Sequence, residues 1–207
     1  MHSTTPGTFP ARLISLLLHP VLIPFLTFLV LLQPHRFFIG LVPAREIAVL
    51  IGCILASTLF FPLLMIFFFL RSGLVSSCAM ERREERTVPL LSTAVFYFMT
   101  WYFLKEISVS TIFSFFMLGS AILAVLSLFI NFLFKISLHM VALGGAAGFF
   151  TGLNLQQGTS HEIFLAVLFL LCGLTGYARL KDGQHTPAEV YSGWLLGSSL
   201  MLFLIFL

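Results

Sequence analysis

The chain has 207 residues, of which 59% are hydrophobic and only 9% charged, with a mean hydropathy of +1.06. Soluble domains carry about 25% charged residues, and a fold of this size has too little interior to hide so much apolar surface from water. This excludes a soluble enzyme, a nucleic-acid binder and a disordered chain and points to a bilayer, where a net charge of +3 matters less than where the charges sit.

A membrane-crossing helix needs about 20 apolar residues. Seven segments come close: 13–33, 47–70, 88–104, 107–134, 138–155, 163–178 and 190–207. They are continuously apolar rather than alternating, which favours helices over barrel strands. The expected fold is an all-α polytopic membrane protein, a bundle of six to seven transmembrane helices forming one domain over 1–207. The first segment exceeds a typical signal-peptide h-region and no small-x-small site follows it, so it reads as a retained span. Pro20, Pro24 and Pro62 fall inside spans and are expected to kink them. Gly144, Gly148 and Gly152 form a small-x-x-x-small ladder in the fifth span, and Gly193 and Gly197 form another in the seventh. Both predict close helix packing. Cys53, Cys78 and Cys172 are scattered and form neither a disulfide framework nor a metal motif.

The charges concentrate. Residues 71–87 hold seven of the nineteen formally charged side chains. With seven spans, eight Lys and Arg residues fall on the side of the N-terminus and three on the other. The positive-inside rule makes the richer side cytoplasmic if the cations serve topology. Setting aside Arg82, Arg83, Arg86 and Arg179 as ligand-binding leaves four against three, and the rule then decides nothing.

Three polar clusters share that side: 81–89 (ERREERTVP), 135–139 (KISLH) and 178–190 (ARLKDGQHTPAEV). Each precedes a span, so each sets polar groups at a helix N-terminus, where unpaired N–H groups and the positive end of the dipole favour an anion. Arg82 or Arg83, with Arg86 and Arg179, adds guanidinium forks that suit phosphate. Phosphoryl transfer needs charge neutralisation, a nucleophile and a proton donor for the leaving oxygen. His185 could attack phosphorus, Glu189 could hold its other ring nitrogen, and His139 could protonate the leaving group. A carboxylate-poor site argues against a magnesium mechanism, so no metal or other cofactor is expected.

The third cluster, Arg179-x5-His185-x3-Glu189, resembles the third signature of the type 2 phosphatidic acid phosphatase family, Ser-Arg-x5-His-x3-Asp. Ser137-Leu138-His139 is similar to the end of that family's Pro-Ser-Gly-His signature, and Arg86 to the arginine of its Lys-x6-Arg-Pro signature. The resemblance covers about residues 80–197. The chain departs from the pattern at Ala178 for serine, Glu189 for aspartate, Ile136 and Leu138 around Ser137, and Ala79 for the lysine; Pro89 comes three residues after Arg86. The resemblance implies a membrane lipid phosphate phosphatase. His185 would form the phosphohistidine, Glu189 would orient it and His139 would be the acid, while Arg86, Arg179 and Ser137 would bind phosphate. It also implies a site facing away from the cytoplasm, as in a bacterial inner membrane. The partners expected are a lipid phosphate substrate and membrane lipids.

Other readings of the same residues stay open. Thr186-Pro187-Ala188-Glu189 is a capping box with proline at its first helical position. Ser137 could simply cap the fifth span, and Arg82 and Arg83 could anchor the interface or pair with neighbouring glutamates. Lys135 and Lys181 read as headgroup anchors, and His19 as a histidine hydrogen-bonded within the bundle. A lipid phosphotransferase and a non-catalytic binder or transporter of anionic lipids compete with the phosphatase.

Overall fold

A computed structural model describes residues 9–33, 44–77, 80, 82–106, 111–158 and 161–207, with backbone alone at 9–12 and 44–46. His2, Arg36, Cys78, Ala79, Glu81 and the first four residues of the expected 107–134 span lie outside the described residues, as do the side chains of Arg12 and Arg45. The described residues form α1 (Phe9–Leu17), α2 (Leu22–Leu31), α3 (Ala44–Leu55), α4 (Phe61–Arg71), α5 (Thr87–Glu106), α6 (Thr111–Leu133), α7 (Leu138–Gln157), α8 (Glu162–Lys181) and α9 (Pro187–Ile205). Six helical segments among them are long and apolar enough to cross a membrane: Ile47–Arg71, Glu84–Glu106, Thr111–Leu133, Leu138–Gln157, Glu162–Lys181 and Pro187–Ile205. The protein is an all-α polytopic membrane protein, as the composition requires.

The first expected span is not one kinked helix. Its helical ladder stops where Leu18 N–H meets the Ile14 carbonyl, and a turn closed by Leu22 N–H on the His19 carbonyl precedes α2. Pro20 explains the break: it has no N–H to donate, and its ring disfavours helical geometry at His19. Pro62 acts differently. The second span continues through it, but Ala56–Phe60 widens into a π-turn just before α4. Such a turn is a known way to absorb a missing ladder bond. Ser57 and Thr58, both buried there, turn their hydroxyls back onto the Ile54 carbonyl at 3.2 and 2.7 Å.

The chain divides into two compact units, Pro24–Leu133 and the pair of segments Met1–Ile23 and Phe134–Leu207. In the first, α5 and α6 run antiparallel along their length. Asn131 Nδ2 donates to the Arg83 carbonyl at 2.7 Å, and Arg83 Nη1 lies 3.4 Å from the Phe132 and Leu133 carbonyls at the end of α6. A cation there satisfies exposed carbonyls and complements the helix dipole. Phe28 and Phe113, both fully buried, pack with ring centroids 5.1 Å apart.

The second unit is built on α7 and α9, which lie parallel and nearly touching. The two glycine ladders face each other: Gly144 lies against the Trp194 backbone, Gly148 against Ser198, and Gly197 against the Val141 carbonyl and the backbone of Gly144 and Gly145. A Cβ at any of these three would run into main-chain atoms that cannot swing away. Small residues let helices approach this closely, and in a bilayer such close packing supplies much of the association energy. α7 ends in a left-handed Gly158, whose N–H bonds the Asn154 carbonyl, and α8 packs against α1, α7 and α9.

Gly148→Ala is therefore expected to cost about 1–3 kcal/mol through overpacking, seen as a lowered melting temperature in detergent. Gly173→Ala, where no atom lies within 4 Å of the added carbon, should leave it unchanged.

Candidate functional site

The close approach of α7 and α9 brings their N-terminal ends together. Gly193 sits against the Ser137 carbonyl, where an added Cβ would lie only 2.8 Å from the oxygen. One turn earlier the Ser137 N–H bonds the Glu189 carbonyl at 3.2 Å. The KISLH cluster and the cluster between α8 and α9 are thus one polar region of one unit, as their shared side of the membrane predicts.

Within it, His185 Nδ1 lies 2.8 Å from Glu189 Oε2, with side chains 2% and 18% exposed respectively. A carboxylate accepts, so Nδ1 carries the proton. Glu189 Oε2 also accepts the Thr186 N–H at 3.2 Å, while Thr186 Oγ1 accepts the Glu189 N–H at 3.4 Å. The capping reading and the histidine-orienting reading of Glu189 are both realised by one oxygen. The cap holds the carboxylate still, and the carboxylate fixes the imidazole.

Arg179 lies in the last turn of α8 rather than beyond the helix, and it is buried. Its Nη2 donates to Gln184 Oε1 at 2.6 Å and its Nη1 to Ser15 Oγ at 3.4 Å, whereas its buried Nε has no partner among the described residues. Ser137 is fully buried. It occupies the N-cap position of α7 without a side-chain cap bond, so its hydroxyl does not serve the helix, and its Oγ is likewise unpartnered. Buried polar groups nearly always have partners, and a donor left without one costs about 1–3 kcal/mol. A guanidinium N–H held this way, and a hydroxyl held this way at a helix N-terminus, are each complementary to an oxyanion.

His139 Nε2 lies 3.1 Å from the Ser15 carbonyl, and its ring meets that of His19 edge-on, with centroids 5.5 Å apart. His19 Nδ1 also accepts the Val21 N–H at 3.4 Å. Sequence reasoning missed Ser15 and Gln184. A serine in an apolar helix carries no local signal, and α1 lies outside the 80–197 stretch that holds the recognisable motifs. Gln184 sits inside the Arg179-to-His185 spacer, where the pattern leaves any residue open. Lys135, read as a headgroup anchor, donates to the Gln184 carbonyl at 3.1 Å, and Lys181 to the Tyr177 hydroxyl at 3.0 Å.

The arginines of the first cluster belong to the other unit. Arg82 is exposed, and Arg83 is exposed and pairs with Glu84 at 3.2 Å besides its contacts to the end of α6. Arg86 is buried and its Nε donates to the Met80 carbonyl at 2.9 Å. Met80 has a φ of 44°, a left-handed conformation that a side chain resists, and the Arg86 bond helps hold it.

No family model matches the chain, and no curated protein or solved structure is significantly similar to it.

Ser137→Ala removes an unsatisfied buried hydroxyl and should leave the ligand-free protein as stable as the parent or more so. The same variant should lose most of the thermal stabilisation that millimolar phosphate or vanadate gives the parent, as read from paired melting curves.

Proposed function

We propose that the protein is an integral membrane phosphatase that hydrolyses a phosphomonoester or pyrophosphate of a lipid through a phosphohistidine. The observation that carries this reading is the His185–Glu189 pair in the same buried polar region as two orphaned oxyanion donors, Arg179 Nε and Ser137 Oγ. Its order of residues resembles the phosphatase signature noted in the sequence, with Glu189 in place of the aspartate and Ala178 in place of the serine.

In this mechanism Arg179 and Ser137 bind the phosphoryl oxygens and offset the charge that spreads over them in the transition state. His185 Nε2 attacks phosphorus. The P–N bond forms as the P–O bond to the lipid breaks, and Glu189 stabilises the ring as it becomes cationic. His139 gives its proton to the departing oxygen. Water then attacks the phosphohistidine, His139 takes a proton from that water, and the P–N bond breaks to release phosphate and restore His185. No step calls on a metal ion. The expected setting is the inner membrane of a bacterium with the site on the outer side. A cysteine placed at exposed Lys181, in a background without other cysteines, would then react with an impermeant maleimide added from outside.

Purified protein should release phosphate in EDTA from at least one of phosphatidate, phosphatidylglycerophosphate, polyprenyl pyrophosphate or lipid A phosphate. His185→Ala should reduce release to background, and His139→Ala should reduce it by roughly 10²–10⁴-fold, the usual contribution of an acid–base group. Turnover that survives His185→Ala would overturn the covalent mechanism. Saturable lipid binding without turnover in the parent would favour a non-catalytic binder.

A further inference from the structure

The N-terminal helix contributes to this region through a residue outside every recognisable motif. Ser15 is buried near the end of α1 and makes two polar contacts of different kinds. Its main-chain carbonyl faces His139 Nε2 at 3.1 Å, and its hydroxyl lies 3.4 Å from Arg179 Nη1. A carbonyl can only accept, so Nε2 of His139 must carry the proton. That carbonyl is available because the α1 ladder stops: in a continuing helix it would take the N–H of His19, four residues on, but Pro20 turns the chain there. The last carbonyls of a helix also carry partial negative charge, which suits a ring that becomes cationic.

We infer that Ser15 is a positioning residue for the proposed reaction: it tethers His139 by Nε2 and steadies Arg179, so that His139 exchanges its catalytic proton through Nδ1. The inference rests on the phosphatase reading above. It makes the two histidines opposite in use. Glu189 holds His185 by Nδ1 and leaves Nε2 to attack phosphorus. Ser15 holds His139 by Nε2 and assigns Nδ1 to the leaving oxygen. The proton on Nδ1 moves to that oxygen as its bond to phosphorus breaks, and water later returns one to the same nitrogen.

Two variants separate the two contacts. Ser15→Ala deletes the hydroxyl alone, and kcat/KM should fall roughly tenfold, mainly through KM, as expected for one weakened contact to a charged phosphate ligand; Ser15→Thr should restore it. Pro20→Ala lets α1 continue, so His19 N–H competes with His139 for the Ser15 carbonyl. With the lipid substrate, whose alkoxide needs a proton to leave, kcat should fall by roughly tenfold or more. With p-nitrophenyl phosphate, whose phenolate leaves unprotonated, the burst of p-nitrophenolate that reports the phosphorylation step should keep its rate within about twofold. A merely structural role would lower both alike. Histidine 15N chemical shifts read the tether without turnover: His139 should be protonated at Nε2 in the parent. Equal losses on both substrates, an unchanged Ser15→Ala, or a His139 protonated only at Nδ1 would overturn the role of Ser15 and leave the phosphatase reading standing. A parent protein with no turnover on any phosphate would overturn both.

Discussion

The near-contact of α7 and α9 is the constraint on which the rest of the site-bearing unit depends. Gly144, Gly148, Gly193 and Gly197 remove a side chain where the other helix's main chain passes, Gly152 does so against the Ile205 side chain, and the separation this allows fixes the helix starts. Only at that separation can the Ser137 N–H reach the Glu189 carbonyl at 3.2 Å. The capping box at the head of α9 then sets the carboxylate of Glu189, and the carboxylate sets His185. A packing interaction in the apolar part of the unit is converted, through one interhelical hydrogen bond and one cap, into the placement of a polar pair at its end.

The polar groups gathered there are costly. A buried guanidinium at the end of a membrane helix loses hydration that hydrogen bonds must replace, and ionisable residues in such positions are usually retained for function. Arg179 recovers part of the loss through Gln184 and Ser15 but keeps its Nε–H unspent among the described residues, and Ser137 keeps its hydroxyl unspent. The arginines of the 71–87 segment behave differently. Arg83 and Arg86 give hydrogen bonds to main-chain carbonyls at the end of α6 and at Met80, contacts that hold a loop and a helix end together within their own unit.

Much of this was legible in the sequence because it rests on local rules. Continuous apolar length gave the membrane helices, the small-residue spacing gave close packing of α7 and of α9 but not that they pack on each other, and Thr186 to Glu189 gave the cap. The four-residue step from His185 to Glu189 gave the pair, although His185 lies just before the Thr186 cap and the carboxylate in the first turn of α9 reaches back to it. What was hidden depends on tertiary proximity. Nothing near Ser15 distinguishes it from other serines in apolar helices; its contact with Arg179 exists only because α1 packs on α8. Pro20 and Pro62 have the same chemistry and opposite outcomes. One ends a helix, while the other is absorbed by a π-turn with Ser57 and Thr58 bonding back to Ile54. The family-like spacing located Arg179 and assigned it to phosphate, but it could not show that the arginine lies within α8, held from two sides.

The most direct measurement is chemical: rapid quenching of the protein during turnover of a phosphate-labelled lipid, followed by peptide mass spectrometry. The expected result is one phosphate on His185, stable in alkali and lost in acid, which accumulates when the water step is slowed and is absent from His185→Ala. Release of phosphate with no phosphorylated histidine at any quench time, or with the label on another side chain, would contradict the role given to the His185–Glu189 pair.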